Sequence, residues 1–174
     1  MGAGFWAAQA FAFCSTALLL ASSLANLRRR TLLFCQVAIN LLLGASYLLL
    51  EGYSGAFCSF LCAGMVLCFA FKEKFRTLLV PVLFAAAYAA FAVFTWQGAA
   101  SLLPAAGNIL LVVAFWCDSE VAMKAWIALV AALWVIYNLC VGSYAGAVGQ
   151  GLSFIFHVIY VVRHGKERKK NRSS

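Results

Sequence analysis

The sequence predicts an all-α fold: a seven-helix transmembrane bundle in which two parallel three-helix repeats are joined by a linker helix. Three observations carry this expectation: the composition, the division into apolar stretches, and the placement of positive charge. Of the 174 residues, 66% are hydrophobic and 10% charged, and the mean hydropathy is +0.96. A water-soluble domain carries about a quarter charged residues, because its surface must be solvated. This chain has too little charge to cover itself, so it is read as an integral membrane protein.

The apolar stretches run over about 5–26, 31–50, 54–71, 78–96, 100–116, 122–141 and 145–162. Each reaches or nearly reaches the ~17–25 residues that a helix needs to cross the hydrocarbon. The alternation of a transmembrane β-barrel is absent, so the spans are expected to be helices, which satisfy their backbone groups internally. The breaks "LRRR", "EGYSG", "KEKFR", "WQGAAS", "CDSEVAMK" and "GSYAG" are short and polar or glycine-bearing. The fourth break is the weakest, and a six-span reading would make 100–116, interrupted by Pro104, re-entrant.

Charge decides the count. With seven spans and the N-terminus outside, the cytoplasmic segments hold Arg28, Arg29 and Arg30; Lys72, Lys74 and Arg76; Lys124; and Arg163, Lys166, Arg168, Lys169, Lys170 and Arg172. Those are all 13 of the Lys and Arg residues. The outer loops hold only Glu51, as the positive-inside rule requires. The predicted orientation is N-terminus outside and C-terminus cytoplasmic. No basic residue precedes the first span and "RRR" follows it, the reverse of a cleavable signal, so this span is expected to remain as a helix.

The repeat is read from two corners. Tyr47–Phe57 is "YLLLEGYSGAF" and Tyr137–Val148 is "YNLCVGSYAGAV". Tyr, a Gly five places on, and Gly-Ala recur, with one residue inserted in the second copy. This pairs Gly52 with Gly142. Both corners join the second and third spans of a three-helix unit on the same side of the membrane. Repeat 1 is placed at about 5–76, the linker helix at about 78–96, repeat 2 at about 100–163, and a basic tail at 164–174. An odd linker is needed, since three spans alone would invert the second copy. Its stretch, "LLVPVLFAAAYAAFAVFTW", is polar only at Tyr88 and Thr95, as suits a helix facing mostly lipid. Such parallel repeats are a transporter plan, with the site near the midplane between them.

Residues 101–151 resemble the YgjV family of bacterial inner-membrane proteins. The resemblance rests on "LLP", Trp116–Cys117, Lys124, W-x-x-Y-N at Trp134, Tyr137 and Asn138, and GS-x-x-G at Gly142, Ser143 and Gly146. The three-one-three plan is similar to that of the SWEET sugar facilitators and the PnuC vitamin transporters, which implies transport by analogy of fold. The chain departs from these relatives in its prolines, with only Pro104 in a repeat helix, and in its third span, "CSFLCAGMVLCF".

Polar side chains within the bilayer are costly unless paired, and so mark candidate function. Gln150, Ser153, His157 and Tyr160 fall at i, i+3, i+7 and i+10 on one stripe of span 7. Gln36, Asn40 and Tyr47 share a face of span 2. Trp134, Tyr137 and Asn138 cluster on span 6, Asn108 follows Pro104 on span 5, and Gln9, Thr16 and Ser23 recur on span 1. By depth, the candidate substrate-binding set is Thr16, Asn40, Asn108, Trp134, Gln150, Ser153 and His157. The same residue types also join helices by hydrogen bonds, so packing remains an open reading for each.

No Asp or Glu lies within a span, so the usual carboxylate for proton coupling is missing beside His157. The seven cysteines include no C-x-x-C and have no companion ligands for a metal. No cofactor or metal is expected, nor an enzyme, since phosphate-binding loops and catalytic sets are absent. Topology accounts for the +8 charge, so nucleic acid is not an expected partner; the lipid bilayer is, and a homo-oligomer is compatible with the sequence. Two functions follow: a facilitator of a small uncharged or zwitterionic solute, or a non-transporting membrane scaffold or partner protein.

Overall fold

The computed structural model describes residues 2–24, 29–70, 79–117 and 119–170, and among these the chain is all-helical. The helices are α1 (Ala3–Leu24), α2 (Arg29–Leu49), α3 (Tyr53–Ala70), α4 (Leu79–Phe94), α5 (Leu102–Trp116), α6 (Glu120–Cys140) and α7 (Tyr144–Lys170). A single 3₁₀ turn, Ala99–Ser101, leads into α5. The expected boundaries match within two residues except at the end of α7, which runs through the basic segment to Lys170. Arg28, Lys72, Lys74, Arg76, Asp118 and Arg172 lie outside the described residues.

Three helical stretches are long and apolar enough to cross a membrane: Gly4–Ser22, Val121–Cys140 and Tyr144–His164. Leu33–Leu49, Tyr53–Cys68, Leu79–Phe94 and Ala99–Ala114 are apolar but shorter. Pro104 sits in the first turn of α5, where its missing N–H has no helical partner to lose. The helix therefore begins around this proline instead of breaking there.

In sequence order α1 packs on α2 and α2 on α3, as α5 packs on α6 and α6 on α7. The two groups close on each other through α1 with α7 and α3 with α5. Helix α4 lies outside this ring against α3 and α5. It buries Pro81, Tyr88 and Ala92 while Val82, Leu83, Val93 and Phe94 remain exposed. Large apolar side chains such as Trp6, Phe13, Phe34, Leu129 and Phe156 also cover the outside. A bilayer-embedded surface has this character, because lipid tails solvate it.

Helices α2 and α6 end in the same turn. Gly52 N–H donates to Tyr47 O at 2.8 Å and Glu51 N–H to Leu48 O at 3.2 Å. Ser143 N–H donates to Asn138 O at 2.8 Å and Gly142 N–H to Leu139 O at 3.3 Å. Both are Schellman caps, which need a left-handed residue after the helix. That residue is Glu51 (φ 58°) in the first corner and Gly142 (φ 74°) in the second. The bonds correspond at a constant separation of 91 residues, the separation of Tyr47 from Asn138. The inserted residue read from the sequence is therefore corrected: Gly142 corresponds to Glu51, and Gly52 to Ser143. Backbone conformation fixes the register here, and the side-chain identities misled it.

A glutamine clamps each corner. Gln97 Nε2 donates to Glu51 O at 2.8 Å, and Tyr53 N–H donates to Gln97 Oε1 at 3.1 Å. Gln9 Nε2 donates to Gly142 O at 2.7 Å, and Ala145 N–H donates to Gln9 Oε1 at 3.2 Å. The start of α1, both corners and the α4–α5 connection therefore lie at one end of the bundle, called the corner end here.

Candidate functional site

At the corner end α2 and α6 meet through a buried aromatic and amide cluster. Tyr47, Tyr137 and Asn138 are at most 1% exposed. Tyr47 Oη donates to Asn138 Oδ1 at 3.0 Å, and Asn138 Nδ2 donates to Trp134 O at 2.7 Å. The Tyr47 ring stacks on Trp134 at 5.7 Å and meets Tyr137 edge-on at 5.5 Å. Tyr137 Oη accepts from Gly55 N–H at 2.9 Å, donates to Gly52 O at 3.2 Å, and lies 3.3 Å from Ser54 Oγ. It thus satisfies a free N–H in the first turn of α3, which that helix could not pair itself. Only glycine fits beside it, because a Cβ on Gly55 would run into the Tyr137 ring. At the second corner, a Cβ on Gly146 would run into Asn138 in the same way.

Beneath this cluster, between the helices of the ring, lies a partly open cavity of about 110 Å³. Its polar lining is Ser15 and Thr16 from α1, Gln36 and Asn40 from α2, Ser59 and Cys62 from α3, Asn108 from α5, and Gln150 and Ser153 from α7. Its apolar lining includes Leu19, Ile39 and Leu43, and on α6 Ile127, Val130, Ala131 and Trp134. No lining side chain is charged.

Six of the seven candidate residues therefore share one space: Thr16, Asn40, Asn108, Trp134, Gln150 and Ser153. His157 is not among the lining residues. It lies one turn beyond Ser153, and its Nδ1 turns back onto Ser153 O at 2.6 Å within α7. Tyr160, the last member of the stripe, stacks on His164 at 4.1 Å and lies under Lys124 Nζ, 5.5 Å from the ring centroid. The stripe is thus divided, its corner-end half in the cavity and its other half in contacts at the opposite end.

Several lining groups have unused hydrogen-bonding capacity. Asn40 Nδ2 donates to Gln36 O at 2.8 Å and Asn108 Nδ2 to Cys58 O at 3.1 Å, and among the described residues neither amide oxygen has a protein donor. Ser59 is 1% exposed, and its Oγ has no partner. Thr16 is committed, since its Oγ1 donates to Ala145 O at 3.2 Å. Trp134 has one face covered by Tyr47, so only its other face is open to a solute.

Ser15, Gln36 and Ser59 were missing from the candidate set. Gln36 and Asn40, one turn apart, gave a signal in their shared face. Ser59 gave none, because a serine among cysteines and phenylalanines on α3 resembles small-residue packing.

Most lining positions also come in pairs. On α2 and α6 they are Gln36 and Ile127, Ile39 and Val130, Asn40 and Ala131, and Leu43 and Trp134. On α3 and α7 they are Ser59 and Gln150, and Cys62 and Ser153. Each pair has the separation of the two corners, that of Tyr47 from Asn138. Thr16 and Leu19 of α1 stand in the same relation to Asn108 and Leu111 of α5, one residue further apart.

A ring of apolar helices with lipid-compatible side chains outside and an uncharged polar cavity inside defines a multi-helix membrane protein. The particular family follows from comparison: the family model for bacterial inner membrane proteins of the YgjV type matches residues 6–168. The chain belongs to that family. No curated protein and no solved structure matches it.

Proposed function

We propose that the protein is a facilitative transporter for a small uncharged or zwitterionic solute, with its pathway between two parallel three-helix repeats, α1–α3 and α5–α7. The observation that carries this reading is the paired lining of the cavity. Positions related by the corner-to-corner separation meet around one space, as they would around an axis along the membrane normal. Unpartnered polar groups at that depth are costly in a purely structural protein. In this reading the corner end faces outward and the basic segments face the cytoplasm, following the positive-inside rule. The Tyr47–Asn138 contact then closes the outer side, and alternating access requires that contact to part.

Reconstitution into proteoliposomes tests the proposal. A panel of labelled neutral and zwitterionic metabolites should include at least one taken up faster than into empty vesicles. Asn108→Leu should lower that uptake at least tenfold while the protein still elutes as a folded species. Uptake indistinguishable from empty vesicles across the panel would remove the transporter reading. A scaffold or partner role in the membrane would then lead, a reading favoured by the small volume of the cavity, about 110 Å³.

A further inference from the structure

The two faces that α2 and α6 turn toward the cavity are chemically opposed. At corresponding positions α2 presents Gln36 and Asn40 where α6 presents Ile127 and Ala131. We infer that the cavity selects a neutral amphiphile of about five or six non-hydrogen atoms, held in one orientation with its hydrogen-bonding head toward α2 and its apolar flank along α6. This inference rests on the transporter reading for its biological sense and deepens it by naming the solute class.

Size sets the first limit. A cavity of about 150 Å³ accommodates benzene, so one of about 110 Å³ suits a solute of about a four-carbon chain with a polar head. Most sites for larger ligands exceed about 300 Å³. Charge sets the second limit. A zwitterion in this space would need a counter-charge or a helix terminus for each of its ends. The lining supplies no charged side chain. The first turn of α7 reaches it at Gly146, a helix N-terminus that suits an anionic end, but nothing in the lining balances a cationic one. An unpaired charge there bears a desolvation penalty that a neutral head avoids.

Hydrogen bonding sets the third. Among the described residues Asn40 Oδ1 lacks a protein donor, and the buried Ser59 Oγ lacks any partner. A carboxamide or hydroxyl head can serve both, because it donates and accepts. Ile127, Val130 and Ala131 offer no such partners, so a head turned toward α6 would be left unpaired.

The experiment uses the full chain in nanodiscs and three solutes on one carbon skeleton: butyramide (neutral), 2-aminobutyrate (zwitterionic) and butyrate (anionic). Binding is read from tryptophan emission, with Trp134→Phe as the control for signal at this site. Butyramide is expected to saturate with a Kd at least tenfold below those of the other two. Asn40→Ala should weaken butyramide binding at least tenfold. The double variant Asn40→Ala/Ala131→Asn should recover it to within threefold, because the paired positions let the solute bind rotated by half a turn. Gln36→Ile/Ile127→Gln provides a second swap should the first fail to fold.

Tighter binding of 2-aminobutyrate, absence of saturation by butyramide, or failure of a folded swap to rescue would each overturn the inference. Transport is read separately. If metabolite uptake persists while 2-aminobutyrate outcompetes butyramide, the neutral-solute inference falls alone. If butyramide binds as expected and nothing crosses, only the transporter reading falls.

Discussion

The two corners share one backbone and differ in nearly everything attached to it. Glu51 occupies the left-handed position in one and Gly142 in the other, yet the cap bonds correspond one for one. Gln97 clamps the first from the α4–α5 connection and Gln9 the second from within α1. The cavity below repeats the contrast, with Asn40 on one wall and Ala131 on the other. The two caps share their backbone bonds, whereas the polar side chains are distributed unequally between the two walls. A cap specifies hydrogen bonds and one dihedral, which many residues satisfy at some cost. A binding wall specifies side-chain groups, and these are free to diverge.

The sharpest way to break the comparison is to fill its close approaches. Gly55→Ala and Gly146→Ala each place a Cβ against a side chain from α6, Tyr137 in one case and Asn138 in the other. Each should lower stability by about 1–3 kcal/mol, the usual cost of overpacking. Thermal unfolding in detergent would measure it. A neutral result at either position would mean that the corner tolerates separation from α6.

The next effect concerns the contact between the halves. Asn138→Leu removes the acceptor of Tyr47 Oη and leaves a buried hydroxyl unpaired, which should cost about 1–3 kcal/mol. Tyr47→Phe removes the hydroxyl itself and should cost less. A double-mutant cycle should give a coupling of about 0.6 kcal/mol and no more than about 1.7 kcal/mol, the mean and the maximum found between membrane helices. Strictly additive effects would show that the bond links nothing.

A smaller effect separates the two left-handed positions. Gly142→Ala should destabilise by about 1–2 kcal/mol, because an L side chain crowds its own carbonyl in that region. Glu51→Gly should go the other way, stabilising by at most about 1 kcal/mol after the added freedom of the unfolded chain is subtracted. Equal signs for the two substitutions would break the equivalence drawn from φ.

The smallest expected effect is that of His157→Phe. With His157 outside the cavity lining and bonded within its own helix, uptake should stay within twofold of the wild type in the proteoliposome assay. A tenfold loss would place the pathway further along α7 than the cavity indicates.

The sequence by itself determined the helices and their ends, except the C-terminal end of α7. Apolar length and polar breaks are local properties, so Tyr53–Ala70 and Glu120–Cys140 could be read within two residues. It also determined that a polar interior had to exist: Asn40, Asn108, Gln150 and Ser153 are too costly in lipid to point outward. What the tertiary structure decided was which of these side chains share a space. Stripe membership assigns Gln150 and His157 to one helix face, but the length of the cavity along that face depends on the helices opposite. Tyr137 gave no sign in sequence that its hydroxyl would serve Gly52 in the α2–α3 corner and Gly55 in α3. Nor could the identities at the corners reveal that Glu51 corresponds to Gly142, because φ is set by the cap that the folded chain closes. Periodicity reports the direction of a side chain from its own helix, and only packing supplies what it meets there.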